Sequence, residues 1–178
     1  AEKRPEDAEV VLRKAVELYP DDIGPNNPYA LLAAIYRKTG ETDREVEVLK
    51  KLAQRDDKAT ASYLRLMELS SVRGDWPTVA ENAERMLAVN PLVAAPYRFL
   101  AQAADRLGDT ARAVRGYRTL LELDPADPAD LHYRLAVNLK KQEHVVEARR
   151  HVLMALEEAP RFREAHRLLL AMTTEEHK

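Results

Sequence analysis

Three side chains with metal-binding potential lie close together in the sequence, at His144, Glu147 and His151. In a helix, steps of three and four residues place all three on one face, and histidine and glutamate are common zinc ligands. His144 and His151 are nevertheless two turns apart, about 10 Å along a helix axis. One zinc ion with ligand distances near ~2 Å cannot bridge them. We therefore expect no metal site and interpret this face as a solvated outer helix surface.

Other signatures of catalysis are missing from the sequence. It has no glycine-rich phosphate loop, no paired-histidine protease motif and no nucleophile elbow. Cysteine is absent, which excludes disulfide frameworks and thiolate metal sites but does not distinguish the cytosol from the periplasm. We expect a protein that is not an enzyme and that needs no cofactor.

Charge and hydropathy exclude two further classes of function. The formal net charge is −2 and aromatic residues make up only 6% of the chain, which argues against a nucleic-acid partner. The longest unbroken apolar run, from Ala30 to Tyr36, has seven residues, far fewer than the roughly 20 that a membrane-spanning helix needs. We therefore expect no direct membrane insertion.

Glycine and proline recur with a fixed period. Gly40, Gly74 and Gly108 are each 34 residues apart, and so are Pro91 and Pro125. A period of this length is typical of helical solenoids, in which one two-helix unit stacks on copies of itself.

Each unit has the pattern of two amphipathic helices joined by a short turn. Between Tyr29 and Tyr36 the apolar residues fall three and four apart, the spacing of a helix face. The turn glycine then ends the first helix, because glycine enters the left-handed conformation without steric cost. The pattern predicts helices at about 7–19, 29–37, 43–55, 60–73, 77–89, 94–107, 110–123, 129–141, 145–159 and 163–172.

These units resemble the tetratricopeptide repeat (TPR). The third unit matches the TPR pattern at Tyr97, Leu100, Ala101, Ala104, Gly108, Asp109, Ala113, Tyr117, Leu120 and Pro125. The fourth matches at Leu135, Ala136, Leu139, Ala148, Ala155 and Pro160, with His132 in the first aromatic position, which His166 occupies in the last helix. Three departures are Glu45 in an alanine position, Met67 in a small-residue position, and Gln142-Glu143 in place of the turn glycine.

The resemblance implies an all-α fold, a right-handed superhelical solenoid of antiparallel helix pairs. It also implies close helix crossings at Ala101 with Ala113 and at Ala136 with Ala148, and it makes Trp76 an inter-helix core residue. We divide the chain into a single array: an orphan second helix at 5–20, four units at 26–57, 58–91, 92–125 and 126–160, and a capping helix at 161–174.

The chain begins at Ala1, and its first helix matches the second helix of a unit. We therefore expect the array to be excised from a larger protein. Arginine outnumbers lysine by 19 to 9, which favours a bacterial source.

In TPR proteins the first helices line a concave groove that holds a peptide or a partner segment. Mapped onto this sequence, the groove residues are Arg37, Leu64, Arg65, Glu68, Arg98, Gln102, Asp105, Arg106, Tyr133, Arg134, Val137, Lys141 and Arg167. The lysine–asparagine pair with which some TPR proteins clamp a carboxylate is absent. The arginines nevertheless favour an acidic or carboxylate-bearing protein partner, because a guanidinium binds a carboxylate in bidentate fashion.

Three alternatives remain open at this point. The groove arginines could be solvated and paired with Asp105, Asp130 and Glu164. The uncovered amino-terminal helix, with Val10, Val11, Leu12 and Val16, could pair with a second copy to form a homodimer. The array could also be a docking appendage of an enzyme or membrane protein encoded upstream.

Overall fold

The structure, a computed structural model, describes residues 5–123 and 126–175, and the regular secondary structure of these residues is entirely α-helical. The described helices are α1 (Pro5–Leu18), α2 (Pro28–Thr39), α3 (Thr42–Arg55), α4 (Thr60–Arg73), α5 (Trp76–Val89), α6 (Ala94–Leu107), α7 (Thr110–Leu123), α8 (Pro128–Lys141), α9 (Val145–Glu158) and α10 (Arg163–Glu175). The predicted all-α class is confirmed. Pro125, one of the periodic prolines, lies outside the described residues.

Several helix starts and ends differ from the sequence pattern by one to three residues. The Asn27 side chain accepts a hydrogen bond of 2.9 Å from Ala30 N and so starts α2 at Pro28. Asp127 caps α8 in the same way, one residue earlier than expected. The helix α5 begins at Trp76, whose side chain is half-buried, rather than at Pro77. The helix α10 continues past Met172 to Glu175.

The turns that end the first helices share one conformation. Gly40, Gly74 and Gly108 have φ values of 77°, 71° and 77°. After α8 the left-handed residue is Glu143, with φ of 64°. His144 N then donates to Leu139 O at 2.9 Å, in the same way that Asp109 N donates to Ala104 O at 2.9 Å after α6. The fourth turn therefore keeps its geometry without its glycine.

The helices group into two compact parts, one ending at Val89 and the other beginning at Asn90. Each part buries apolar side chains between its own helices. In the first part the largest buried side chains include Tyr29, Leu32, Tyr63, Leu66, Met67 and Val79. In the second part they include Tyr117, Leu120, Leu135, Leu139, Val152 and Met172.

A close helix crossing in the second part lies at a glycine that the sequence pattern did not single out. A Cβ atom on Gly116 of α7 would lie 2.9 Å from Ala101 Cβ and 3.3 Å from Ala101 Cα of α6. The predicted crossing residues Ala101, Ala113, Ala136 and Ala148 are all fully buried. Small side chains thus let α6 approach α7 and α8 approach α9. Across the described residues, no helix combines the length and the apolar character that crossing a membrane requires.

Candidate functional site

The histidine cluster singled out by the sequence is arranged differently from the expectation. His151 does not belong to a solvated face, because its ring is half-buried and stacks on His132 of α8 with a centroid distance of 5.1 Å. The two Nδ1 atoms are 3.0 Å apart, so one ring donates a hydrogen bond and the other accepts it. His144 is exposed at the start of α9, and His166, expected to pack like His132, is exposed on α10.

Burial lowers the pKa of both stacked rings. For His151 the nearby His132 lowers the pKa further, while Glu147 opposes the shift. The Glu147 carboxylate lies 3.9 Å from His151 Nε2 and pairs with Arg118. Within the described residues, no group of three histidine, aspartate or glutamate side chains is placed to hold a metal ion. The hydrogen-bonded and stacked pair of rings therefore joins α8 to α9.

The predicted groove residue Arg65 of α4 binds a carboxylate inside the chain itself. Its Nε donates to Glu45 Oε1 at 2.7 Å and its Nη2 donates to Glu45 Oε2 at 3.1 Å, a bidentate pair. Glu45 of α3, in the alanine position of its unit, is only 2% exposed. The hydrogen bond to Glu45 raises the pKa of Arg65. Arg65 therefore compensates the buried charge of Glu45, which lies where the repeat pattern favours alanine.

The other predicted residues of the first part stand closer to solvent. Arg65 Nη1 also donates to Glu68 Oε2 at 3.0 Å. Glu68 and Leu64 are half-buried, and Arg37 is exposed. On this part of the predicted groove, Arg37 is exposed, and the Glu68 side chain is 44% exposed although its carboxylate is paired with Arg65.

Both carboxylate oxygens of Asp105, in the second part, accept a hydrogen bond. The Tyr117 hydroxyl donates to Oδ2, and Asn138 Nδ2 donates to Oδ1 at 2.6 Å. Burial raises the pKa of Tyr117, and the Asp105 carboxylate raises it further. Sequence reasoning placed Asp105 in an open groove and missed this network. Its sequence signal is Asn138, a polar residue in a helix stretch whose neighbours Leu135, Ala136 and Leu139 are buried.

Arg134 of α8 lies beside this network and keeps part of its side chain in solvent. Its Nε donates to Asp130 Oδ2 at 2.6 Å, and its Nη1 lies 3.9 Å from Asp105 Oδ2. The side chain is still 43% exposed. Arg134 is therefore paired within the chain, which is one of the alternatives that the sequence left open. The pairing orients the guanidinium and leaves part of the side chain accessible to solvent.

The remaining predicted residues of the second part are half-buried or exposed. Tyr133 packs on Phe162, a residue the sequence reasoning did not name, with ring centroids 4.9 Å apart. The half-buried group comprises Arg98, Gln102, Tyr133 and Val137, and the exposed group comprises Arg106, Lys141 and Arg167. This part of the predicted groove thus combines accessible cations with apolar side chains.

A second surface feature lies in the first part, between α1 and α2. It is a groove of about 740 Å³ lined by Asp7, Ala8, Val11, Leu12, Leu31, Ala34, Ile35 and Lys38, which we call the α1 groove. Six of these eight residues are apolar. Val10 and Val11 are both largely exposed, as the sequence predicted for some residues of this helix.

Solved structures with the same helix arrangement identify the fold. YrrB, described as a TPR protein with an unusual peptide-binding site, matches with a TM-score of 0.69 over 92% of this chain and 82% of that chain, at 16% identity. The chain has the tetratricopeptide-repeat fold. MamA AMB-1 matches with a TM-score of 0.68 over 86% and 82% of the two chains, at 21% identity. MamA from Desulfovibrio magneticus RS-1 gives 0.61 over 89% and 88%, at 18% identity.

No protein-family model matches this TPR-fold chain, and no curated protein matches its sequence. Glu45, Met67 and Glu143 depart from the TPR pattern at an alanine, a small-residue and a turn-glycine position. The fold accommodates Glu45 through its ion pair with Arg65, and it accommodates Glu143 in a left-handed backbone conformation.

Proposed function

We propose that this TPR-fold chain is a non-catalytic module that binds an acidic segment of a protein partner. The binding surface would lie on the first helices of the second part, with Arg98 and Gln102 on α6, Tyr133, Arg134 and Val137 on α8, and Arg167 on α10. Arg106 and Lys141 would contribute at its margins, and Asp105 would act indirectly, by holding its neighbours in place.

The observation that carries this proposal is that the Arg134 side chain is held by an ion pair and is still accessible to solvent. Its Nε is fixed by Asp130 at 2.6 Å while 43% of its side chain stays in solvent. A guanidinium that is already oriented loses less side-chain entropy when it binds a carboxylate. The half-buried Tyr133 and Val137 on the same helix supply apolar area beside it. In peptide recognition, charged groups commonly orient the ligand, and apolar contacts supply much of the affinity.

The comparison with YrrB supports a peptide as the ligand, since that protein shares the fold and is described as having a peptide-binding site. Asp105 keeps its negative charge, and both of its oxygens accept hydrogen bonds, from Tyr117 and Asn138. The guanidinium of Arg134, whose Nη1 lies 3.9 Å from Asp105 Oδ2, offsets part of this charge toward an acidic ligand.

Selection from a phage-displayed random peptide library tests the proposal, because it samples acidic, basic and neutral sequences side by side. We expect the enriched peptides to be rich in aspartate and glutamate and to bind the purified chain in isothermal titration calorimetry. The variant Arg98→Glu/Arg134→Glu should bind them at least about tenfold more weakly, a loss of about 1.4 kcal/mol. Circular dichroism establishes that the variant keeps its helices.

The matched control is Arg150→Glu, which places the same charge change on an exposed residue of the second helix α9. It should leave the affinity unchanged. Enriched peptides that bind Arg98→Glu/Arg134→Glu as tightly as the parent chain would contradict the proposal. A library that yields no binding peptide would contradict it as well.

A further inference from the structure

Equivalent positions of three successive first helices carry an arginine, an aromatic ring and another arginine. The residue after the first aromatic position of each unit is Arg98 on α6, Tyr133 on α8 and Arg167 on α10. Arg98 and Tyr133 are half-buried, and Arg167 is exposed. Because the three residues take the same place in their units, they form a row across the first helices of the second part.

Two contacts hold these first helices side by side. Asn138 Nδ2 of α8 donates to Asp105 Oδ1 of α6 at 2.6 Å. Tyr133 of α8 packs on Phe162, the residue before α10, with ring centroids 4.9 Å apart. Helices in contact have axes about 8–10 Å apart. Each step of the row, from arginine to tyrosine and from tyrosine to arginine, therefore spans about one such distance.

The middle of the row is apolar. Tyr133 and Phe162 meet in a tilted arrangement at 54°, and both rings are only partly buried against the core. Val137, one turn after Tyr133 on α8, is half-buried as well. Aromatic side chains bind other aromatic rings in such tilted or offset arrangements. The centre of the row thus suits a large apolar side chain, and its two ends suit carboxylates.

The spacing of the row restricts the backbone conformation of a ligand. A polyproline-II segment has about three residues per turn and rises about 3.1 Å per residue, so its side chains i, i+3 and i+6 share one face at steps of about 9 Å. These steps match the distance between neighbouring helices. A β-strand returns to the same face every second residue, after about 6.6 Å, which is too short.

We propose that the partner segment carries a large apolar residue with one acidic residue three positions before it and another three positions after it, and that it binds in the polyproline-II conformation. The apolar residue packs on Tyr133 and Phe162, and the two carboxylates bind Arg98 and Arg167. This inference rests on the proposed function, because it specifies the ligand of the same surface.

Synthetic peptides with blocked ends test the pattern in isothermal titration calorimetry. The reference peptide is Asp-Pro-Ala-Phe-Pro-Ala-Asp, in which proline favours the polyproline-II conformation. Replacing its phenylalanine by alanine should weaken binding at least about tenfold, because the apolar contact is lost. Peptides of the same three key residues at steps of two or seven, the spacings of a strand and of a helix, should also bind more weakly. Tighter binding at either of these steps would overturn the inference.

A double-mutant cycle assigns the apolar contact to Tyr133. The variant Tyr133→Ala should weaken the phenylalanine peptide and leave the alanine peptide unchanged, whereas a general loss of structure would weaken both equally. Equal weakening would therefore overturn the assignment. The variant Arg167→Gln should weaken the reference peptide about fivefold, since one charged contact is removed. Arg150→Gln, at an exposed arginine of α9, is the matched control and should leave binding unchanged.

The same peptides separate this inference from the proposed function. Equal affinity for the phenylalanine and alanine peptides, with loss of binding when both aspartates become asparagine, would overturn the pattern and leave the acidic preference intact. Failure of the reference peptide to bind, while acidic peptides selected from the library do bind, would also overturn the pattern alone. Aspartates that can be replaced without loss of affinity would overturn both.

Discussion

The Glu45 carboxylate is the most unusual single group in the first part of the chain. It lies where the repeat favours alanine, and its charge is compensated by the two hydrogen bonds from Arg65. Removing one member of a buried ion pair costs more than removing both, because the remaining charge stays buried without a partner. Arg65 and Glu45 therefore act as one structural unit.

We expect Arg65→Met to lower the free energy of unfolding by about 3–5 kcal/mol. The double variant Glu45→Ala/Arg65→Met should recover most of that loss, because alanine restores the repeat pattern and no charge is left inside. Urea denaturation followed by circular dichroism measures both values. Arg73→Met, which removes the exposed pair with Asp43, is the control and should cost about 1 kcal/mol or less. Equal losses for the single and double variants would contradict the coupling.

At the level of single residues, the sequence predicted the apolar positions better than the polar ones. Apolar periodicity indicated the buried faces, including Ala101, Ala113, Ala136 and Ala148, because helix geometry converts spacing directly into a shared face. The partners of Arg65 and Asp105 could not be predicted in the same way. Their hydrogen bonds join different helices, 20 and 33 residues apart in sequence, and depend on side-chain rotamers that spacing does not specify.

At the scale of the helix, the contact between α8 and α9 carries the stacked rings of His132 and His151. Burial lowers the pKa of both rings, so the folded chain binds fewer protons than the unfolded chain once the pH falls below the usual histidine value near ~6.5. The free energy of unfolding then decreases as the pH falls through that value, until the lowered pKa values of the folded chain are reached. Glu157 and Glu158 near His132 and Glu147 near His151 moderate the effect.

We expect acidification from about pH 7.5 to about pH 5.5 to destabilise the second part. Each additional proton bound by the unfolded chain contributes about 1.4 kcal/mol per pH unit, so two rings give at most roughly 2.7 kcal/mol per unit. Urea denaturation at several pH values should show this slope, and His132→Phe/His151→Leu should remove most of it. His144→Gln changes an exposed histidine of α9 and is the control. An unchanged slope in the double variant would contradict the assignment.

The helix ends show why the pattern located all ten described helices but missed some of their boundaries. The glycine period marked three turns, since only a left-handed residue closes them cheaply. The fourth turn uses Glu143 in the same conformation, which a non-glycine residue adopts at a cost of about 1–2 kcal/mol. The tertiary packing of α8 on α9 outweighs that local preference. Caps such as Asn27 then shifted the helix starts by one residue.

At the scale of the whole molecule, stability in a repeat array is distributed through neighbouring pairs of helices. Each unit is stabilised by its neighbours, so a helix with one neighbour fewer unfolds more easily. α1 packs mainly on α2 and keeps Val10, Val11 and Leu18 exposed. By contrast, α2, α3 and α4 in the first part and α7, α8 and α9 in the second part each pack on two neighbouring helices.

Hydrogen exchange should therefore show the fastest amide exchange in α1 and the slowest in the helices from α4 to α9. The measurement is made at a protein concentration at which sedimentation velocity shows a monomer. Mass spectrometry of peptic fragments resolves the ten described helices. Protection of α1 above that of α6 or α8 in the monomer would show that α1 is stabilised by contacts other than the packing described.

The position of Trp76 has a practical consequence for all of these measurements. It is the only tryptophan in the sequence, and it begins α5 in the first part of the chain. Fluorescence excited selectively at the indole therefore reports the surroundings of α5, whereas circular dichroism averages over the helices of both parts. A substitution at Arg65 should shift the fluorescence transition, and a substitution at His132 should shift the circular-dichroism transition more strongly. Tryptophan fluorescence of the natural chain, compared with its circular dichroism, thus indicates which part a mutation has destabilised.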